Sequence, residues 1–119
     1  MVGLAIGEHS VTGVTILELS GRLVLEDGEF TLRDYVNQLV NQGRVNIVLN
    51  MRNVTQLDRA GIGMLAAKYL SAHRKGGRLK LLHLTPRSAQ LMGITKLSTV
   101  FEIFESEDAA IRSFEPAPP

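Results

Sequence analysis

The sequence predicts a single-domain α/β fold, and three observations support that class. Strand-like segments alternate with segments that have the 3.6-residue period of helices, in the order β-β-α-β-α-β-α-β-α. The length of 119 residues suits one domain, with 45% hydrophobic and 21% charged residues as in soluble globular proteins. The first two strands are close enough in sequence to form a hairpin. We therefore expect an N-terminal β-hairpin followed by alternating α and β elements, in a mixed sheet of about five strands with about four helices.

The N-terminal segment has the pattern of a β-hairpin. Apolar residues alternate with others in residues 2–6, and they resume at residues 14–19 after a turn-like segment at residues 10–13. Gly21 is expected to end the second strand, and residues 22–29 are expected to form a loop.

A first helix should run from Thr31 to a glycine stop at Gly43. Thr31 and Asp34 resemble a capping arrangement, although the helix could already begin at Phe30 or earlier. The near-continuous apolar run from Val45 to Met51 predicts an interior strand. The apolar stripe of the helix consists of Leu32, Tyr35, Val36, Leu39 and Val40.

A second helix is expected from about Arg59 to Lys75, with Asp58 as its N-cap. Its apolar face consists of Ile62, Leu65, Ala66, Tyr69 and Ala72. On the opposite, exposed face we expect Lys68, Ser71, Arg74 and Lys75.

The C-terminal third continues the alternation. Thr85 and Pro86 combine an N-cap hydroxyl with a proline at the first helical position, so they begin a short helix that should end at Gly93. Ser106 is expected to cap a terminal helix. The strand before Thr85 comprises Leu79, Leu81, Leu82 and Leu84, and the last strand comprises Phe101, Ile103 and Phe104. The core residues expected of the terminal helix are Ala110, Ile111 and Phe114.

Several kinds of chemistry find no support in the sequence. The absence of cysteine excludes a disulfide scaffold and a Cys-based zinc or redox site. No serine lies in a Gly-x-Ser-x-Gly turn, and none of His9, His73 and His83 has metal-ligand spacing to another ligand. We therefore expect no enzyme activity, no metal and no cofactor. The first 25 residues lack a continuous apolar stretch, so we expect no signal peptide or membrane span and a cytoplasmic location.

Gly61 and Gly63 form the one Gly-x-Gly in the chain. A dinucleotide-binding loop needs a further glycine and a strand that runs directly into it. Here the predicted strand ends near Met51, seven residues before the predicted helix. We therefore interpret both glycines as positions of close packing at a helix start.

The net charge of +1 hides three blocks of opposite sign. Residues 1–43 carry a net charge of −4, residues 44–96 a net charge of +9, and residues 97–119 a net charge of −4. The central block carries ten basic side chains against Asp58 alone, which predicts a basic face that the acidic terminal elements partly neutralise.

The segment from Val54 to Leu65 resembles the signature of anti-sigma factor antagonists of the STAS domain family, in which an Asp-Ser-Ser/Thr/Ala-Gly-Leu/Ile-Gly run opens the second helix. Further segments resemble the family at residues 19–23, 45–49, 76–79, 94–97 and 100–101, so the resemblance covers essentially residues 2–114. We expect a STAS domain over residues 1–115 and a disordered tail over residues 116–119.

The resemblance implies a non-enzymatic switch. Members bind a kinase-type anti-sigma factor and are turned off when that kinase phosphorylates the serine after the motif aspartate, because the added charge disrupts the contact. Arg59 stands at that position here, so the usual phosphorylation is absent. The substitution is either drift at an exposed position or a new contact with a partner carboxylate or phosphate. Thr55 is a less favoured phosphoacceptor, since a buried turn threonine is the more natural role.

A second departure lies in the loop after Gly21, where members commonly carry an aspartate and this chain carries Val24. Glu26 and Asp27 lie just beyond, and either could neutralise Arg59 if the loop folds over the helix start.

The sequence thus predicts a protein-binding regulator, a monomer or weak homodimer without direct DNA binding. Its partner surface would comprise Asp58, Arg59, Ala60 and Gly61, together with Lys68 and Ser71. The alternative is a STAS module that binds an anionic ligand (a nucleotide, phospholipid or polyanion) through the basic face.

Overall fold

The computed structural model describes residues 3–25, 29–96 and 99–115. Within them the element order is the predicted one. The strands are β1 (Leu4–Val11), β2 (Val14–Leu23), β3 (Asn46–Leu57), β4 (Arg78–Leu82) and β5 (Ile103–Phe104). The helices are α1 (Glu29–Asn41), α2 (Arg59–Arg74), α3 (Pro86–Ile94) and α4 (Glu107–Arg112).

The five described strands form one mixed sheet in the order β1-β2-β3-β4-β5. β1 and β2 are the predicted antiparallel hairpin, and they are joined by a two-residue turn in which Thr12 and Gly13 both have positive φ. The other neighbouring pairs are parallel, as crossovers through helices require. The predicted α/β class and its mixed sheet are therefore confirmed.

Each face of the sheet has its own apolar core. The larger core lies under the first three helices and contains, among others, Leu32, Val36, Ile62, Leu65 and Met92. The smaller core lies under α4 and consists of Val14, Ile16, Val48, Leu82, Ala110 and Ile111. The predicted apolar stripes of α1 and α2 face the larger core, which confirms those helix faces.

Two strands are longer than the sequence predicts. β2 does not end at Gly21 but continues through it to Leu23, with a register irregularity against β3. Gly21 has φ +113°, and a Cβ there would lie 2.3 Å from the carbonyl oxygen of Gly3. Glycine therefore lets the strand pass a close backbone contact rather than ending it.

β3 does not end near Met51 but runs to Leu57, where it still pairs with Leu23 of β2. The added residues are mostly polar and exposed, so the apolar run predicted only the covered part of the strand. Smaller shifts occur elsewhere. α1 begins before Thr31, which is therefore not its cap, α3 includes Ile94, and Leu84 lies beyond β4.

Three of the four N-cap predictions are confirmed, and the exception is Thr31, which lies inside α1. The side chains of Asp58, Thr85 and Ser106 each accept a hydrogen bond from the backbone N–H three residues later. Pro86 occupies the first turn of α3, as predicted. The expected tail at residues 116–119 lies outside the described residues.

Candidate partner-binding site

The signature segment lies where β3 meets α2. Leu57 is the last residue of β3, Asp58 follows it, and Arg59 begins α2. The predicted gap of seven residues between strand and helix is therefore wrong, because pairing with β2 extends β3 up to the motif. Four parallel strands end at this edge of the sheet, and it is at such strand ends that α/β proteins place binding sites.

Asp58 joins two parts of the chain at this edge. Its backbone is extended, with φ −124° and ψ −177°. The Oδ1 atom accepts a hydrogen bond from the N–H of Gly61 at 2.9 Å, and Oδ2 accepts one from the N–H of Leu25 at 3.1 Å. One carboxylate therefore caps α2 and also holds the segment that follows β2 against the start of that helix.

The two glycines of the motif have different surroundings. A Cβ on Gly61 would lie 2.3 Å from the carbonyl oxygen of Leu23 and 3.0 Å from Cδ1 of Leu57, whereas a Cβ on Gly63 would meet no atom within 4 Å. The predicted close packing is confirmed at Gly61 and wrong at Gly63, which lies on the exposed side of α2.

Arg59 is exposed in the first turn of α2, beside the half-buried Ala60. Among the described residues, no side-chain hydrogen bond or ion pair involves Arg59. A cation in this turn is disfavoured by the helix dipole unless a carboxylate compensates it. Glu26 and Asp27, the two acidic residues considered for that purpose, lie outside the described residues.

Thr55 lies in β3 and is exposed, so its expected place in a buried turn is wrong. The cause is again the extension of β3, which carries this residue along the uncovered end of the strand. Its role as a phosphoacceptor stays a prediction.

Lys68 does not lie on an exposed face, which corrects the prediction for this residue. It is 8% exposed, and its Nζ donates a hydrogen bond to Oδ1 of Asn37 in α1 at 2.6 Å. Burial lowers the pKa of Lys68, the nearby guanidinium of Arg33 lowers it further, and Asp34 acts in the opposite direction. The apolar stripe predicted contact with the sheet only, whereas α2 is also covered by α1 on its Lys68 side.

Ser71 is half-buried on the flank of α2, and its hydroxyl donates to the carbonyl oxygen of Ala67 at 3.1 Å. The residues of α2 that are exposed lie instead on one face, spaced by three or four residues except for the adjacent pair at its C-terminal end. We call this the outer face of α2, and it consists of Arg59, Gly63, Ala67, Leu70, His73 and Arg74.

Two apolar side chains near this surface were not predicted as site residues. Leu70 on the outer face is 48% exposed, and Leu25, whose backbone is bound by Asp58, is 60% exposed. The sequence could have indicated Leu70, because its spacing from Arg59 places both residues on the same face of a helix. For Leu25 the sequence showed an apolar loop centre, but nothing in it indicated a contact with the motif.

The basic block is partly neutralised within the fold, as predicted. Nη2 of Arg44 lies 2.5 Å from Oε2 of Glu8, and Nζ of Lys80 lies 2.7 Å from Oε2 of Glu102. Lys80 is buried as well, and its Nζ lies 4.4 Å from the centre of the Phe114 ring. Fewer cations are therefore presented to solvent than the charge of this block suggests.

Each of the three histidines lies within hydrogen-bond distance of one charged side chain. Nε2 of His9 lies 3.2 Å from Glu107, Arg52 lies 2.9 Å from His83, and Arg78 lies 3.1 Å from His73. In the part of the chain that the structure describes, no three His, Cys, Asp or Glu side chains are grouped so that they could hold a metal ion. Nor is any described helix long and apolar enough to cross a membrane.

The fold is that of a known family. The model of the STAS domain family matches residues 9–110, and the chain belongs to that family. It is 24% identical over 103 residues to the anti-sigma F factor antagonist of Paenibacillus polymyxa, covering 87% of this chain and 88% of that protein. It is 26% identical over 81 residues to the anti-sigma-B factor antagonist of Bacillus subtilis strain 168, covering 68% and 73% respectively.

Solved structures share the fold. An anti-sigma factor antagonist from Mycobacterium paratuberculosis superposes with a TM-score of 0.81 at 19% identity, over 93% of each chain. The Bacillus anti-sigma factor antagonist SpoIIAA, in its unphosphorylated form, superposes with a TM-score of 0.78 at 21% identity, over 92% of this chain and 95% of that one. SpoIIAA has also been solved in a phosphorylated form.

Proposed function

We propose that this chain is a non-enzymatic anti-sigma factor antagonist that acts in the cytoplasm by binding a kinase-type anti-sigma factor. The proposed contact surface is the edge formed by Asp58, Arg59, Ala60 and Gly61. Two relatives that match most of this chain carry the name anti-sigma factor antagonist, which supports this class of partner. The phosphorylated form of SpoIIAA supports the kinase character of the partner in at least one structural neighbour.

The observation that carries the proposal is the geometry around Arg59. The motif begins α2 at the edge of the sheet where the parallel strands end. At the position where the family signature has its serine, this chain has Arg59, whose side chain is exposed and has no hydroxyl. We propose that phosphorylation at this position is absent and that the exposed guanidinium binds a partner carboxylate or phosphate.

The anion-binding alternative is less well supported. The backbone N–H of Gly61, which would otherwise be available to an anion, already donates to Asp58. Two cations of the basic block, Lys68 and Lys80, are buried.

The test mixes the purified protein with the kinase-type anti-sigma factor of the same organism, with and without ATP, and measures binding by calorimetry and phosphate by intact mass. We expect binding in both conditions and no phosphate on the wild-type protein. Arg59→Ser and Arg59→Ala should both bind more weakly than wild type, because each removes the guanidinium. Only Arg59→Ser should gain phosphate and lose further affinity when ATP is present, since Arg59→Ala has no hydroxyl.

Absence of binding in both conditions would overturn the antagonist proposal. If ATP releases the wild-type protein from the partner and phosphate is found on Thr55 or another residue, the proposal that this chain lacks phosphorylation control would be wrong. Retention of lipid vesicles or polyanions at about 50 mM salt, lost at higher salt, would favour the alternative. Gel filtration of the free protein tests the expected monomer or weak homodimer.

A further inference from the structure

Within residues 3–25, 29–96 and 99–115, no element covers the outer face of α2, whose middle is apolar. Leu70 is 48% exposed there, and Gly63 and Ala67 on the same face add little side-chain volume. Leu25 is held beside the start of this face by its hydrogen bond to Asp58 and exposes 60% of its surface. Exposed apolar side chains therefore lie both at the start of α2 and along this face, and exposed apolar surface bordered by polar residues is typical of a protein-binding surface.

The charged residues of the outer face itself have one sign. Arg59 lies at one end and Arg74 at the other, followed by Lys75. From Arg59 to Phe101 the sequence contains no aspartate or glutamate, so α2, β4 and α3 carry no acidic side chain. Asp58 is the nearest preceding carboxylate in the chain, and both of its oxygens accept backbone hydrogen bonds.

A single exposed helix face is matched best by another helix, because the side-chain ridges of one helix pack into the grooves of the other. Close approach is possible at Gly63, where no atom lies within 4 Å of an added Cβ. The two arginines are 15 residues apart on α2, or about 22 Å at 1.5 Å per residue. A complementary helix would carry carboxylates about four turns apart and apolar residues between them.

We infer that the outer face of α2, together with Leu25, docks an acidic amphipathic helix of the binding partner. This inference rests on the proposed function and adds the chemistry of the partner surface to it. Leu25 and Leu70 supply the apolar anchors, and Arg59 and Arg74 select carboxylates at the two ends. Lys68, buried against α1, takes no part.

The first experiment measures the Kd for the anti-sigma factor with matched pairs of variants. Gly63→Gln and Gly93→Gln each add a side chain at an exposed helical glycine with open space around it, but only the first lies on the outer face. Leu70→Ser and Ile94→Ser each remove an exposed apolar side chain, and Ile94, at 64%, is the more exposed of the two. Circular dichroism checks that all four variants are folded.

We expect Gly63→Gln and Leu70→Ser to weaken binding at least tenfold, and Gly93→Gln and Ile94→Ser to stay within twofold of wild type. If the wild-type protein binds and the outer-face variants bind equally well, the docking surface is wrong while the proposed function stands. If Ile94→Ser weakens binding more than Leu70→Ser does, the proposed docking surface is also wrong, because general surface hydrophobicity would then explain the binding.

A second experiment tests the surface without the anti-sigma factor. The ¹⁵N-labelled protein is titrated with a synthetic amphipathic helical peptide that has leucines on one stripe and flanking glutamates, and with a control peptide in which lysines replace the glutamates. We expect amide shifts at Leu25 and along residues 59–74 with the acidic peptide, and at least tenfold weaker binding of the control.

The two experiments separate the two proposals. Shifts on the outer face, without binding to the anti-sigma factor, would overturn the proposed function and support the acidic-helix surface. Equal binding of both peptides, no binding of the acidic one, or shifts confined to other elements would overturn the surface itself.

Discussion

Alanine at Gly61 and alanine at Gly63 are expected to change the free energy of unfolding in opposite directions. Both glycines lie in α2, two residues apart. Gly63→Ala adds a methyl group in open space, whereas Gly61→Ala places one 2.3 Å from the backbone oxygen of Leu23. The same chemical change therefore probes the solvent side of the helix and its contact with the end of β2.

The magnitude follows from two contributions. Replacing glycine by alanine in a helix stabilises it by about 0.5–1 kcal/mol, and this gain applies to both variants. Overpacking costs about 1–3 kcal/mol, and the upper part of that range applies at Gly61 because a backbone carbonyl cannot rotate away. The helical gain cancels in the comparison, so the two variants should differ by about 2–3 kcal/mol.

Urea unfolding followed by circular dichroism measures this difference. With an m-value of about 2 kcal/mol per molar urea, the two midpoints should lie about 1–1.5 M apart, with wild type between them. Equal midpoints for the two variants, or a Gly61→Ala protein more stable than wild type, would refute the close approach of α2 to β2. A changed m-value would indicate instead that the variant unfolds by a different route.

Three further predictions concern titrating and capping groups. Because the pKa of Lys68 is lowered in the folded protein, the unfolded chain holds the ammonium proton more tightly. The free energy of unfolding of the wild type should therefore rise relative to that of Lys68→Met as pH increases from neutral towards 10.5. Parallel pH profiles for the two proteins would contradict this prediction. Hydrogen bonds from Tyr35 and Arg44 lower the pKa of Glu8 below 4.5. The stability that they provide is therefore lost as pH falls through that lowered pKa, and acid titration of Glu8→Gln should show a shallower loss below pH 4.5. Asp58→Ala should destabilise the fold by about 1–2 kcal/mol in urea and Asp58→Asn by less, because an amide oxygen still caps the helix; equal effects would argue against the cap.

Local chemistry made several elements predictable. The caps at Asp58, Thr85 and Ser106 each need only a short polar side chain and the N–H group three residues later, so a few neighbouring residues determine them. The helix faces were predictable for a similar reason, since the 3.6-residue period directs apolar side chains towards the sheet whatever the sheet's details.

Strand ends were less predictable because they depend on pairing rather than composition. The apolar run that ends at Met51 marks most of the part of β3 that the core covers, and Val54 is the one described core residue of β3 beyond it. Beyond it, backbone pairing with β2 continues through Gln56 and Leu57, although the side chains are exposed or half-buried. Pairing between parallel strands leaves little sequence signal when one partner residue is glycine, as at Gly21.

The sequence by itself determined the order of the elements, the capped start of α2 and the absence of a hydroxyl at Arg59, because each depends on residue types within a few positions. Tertiary structure alone decided that Lys68 is buried against α1, that Gly61 is packed while Gly63 is open, and that Leu25 is bound beside the motif. These features arise from elements distant in the chain, whose approach is set by the packing of the whole sheet and its helices.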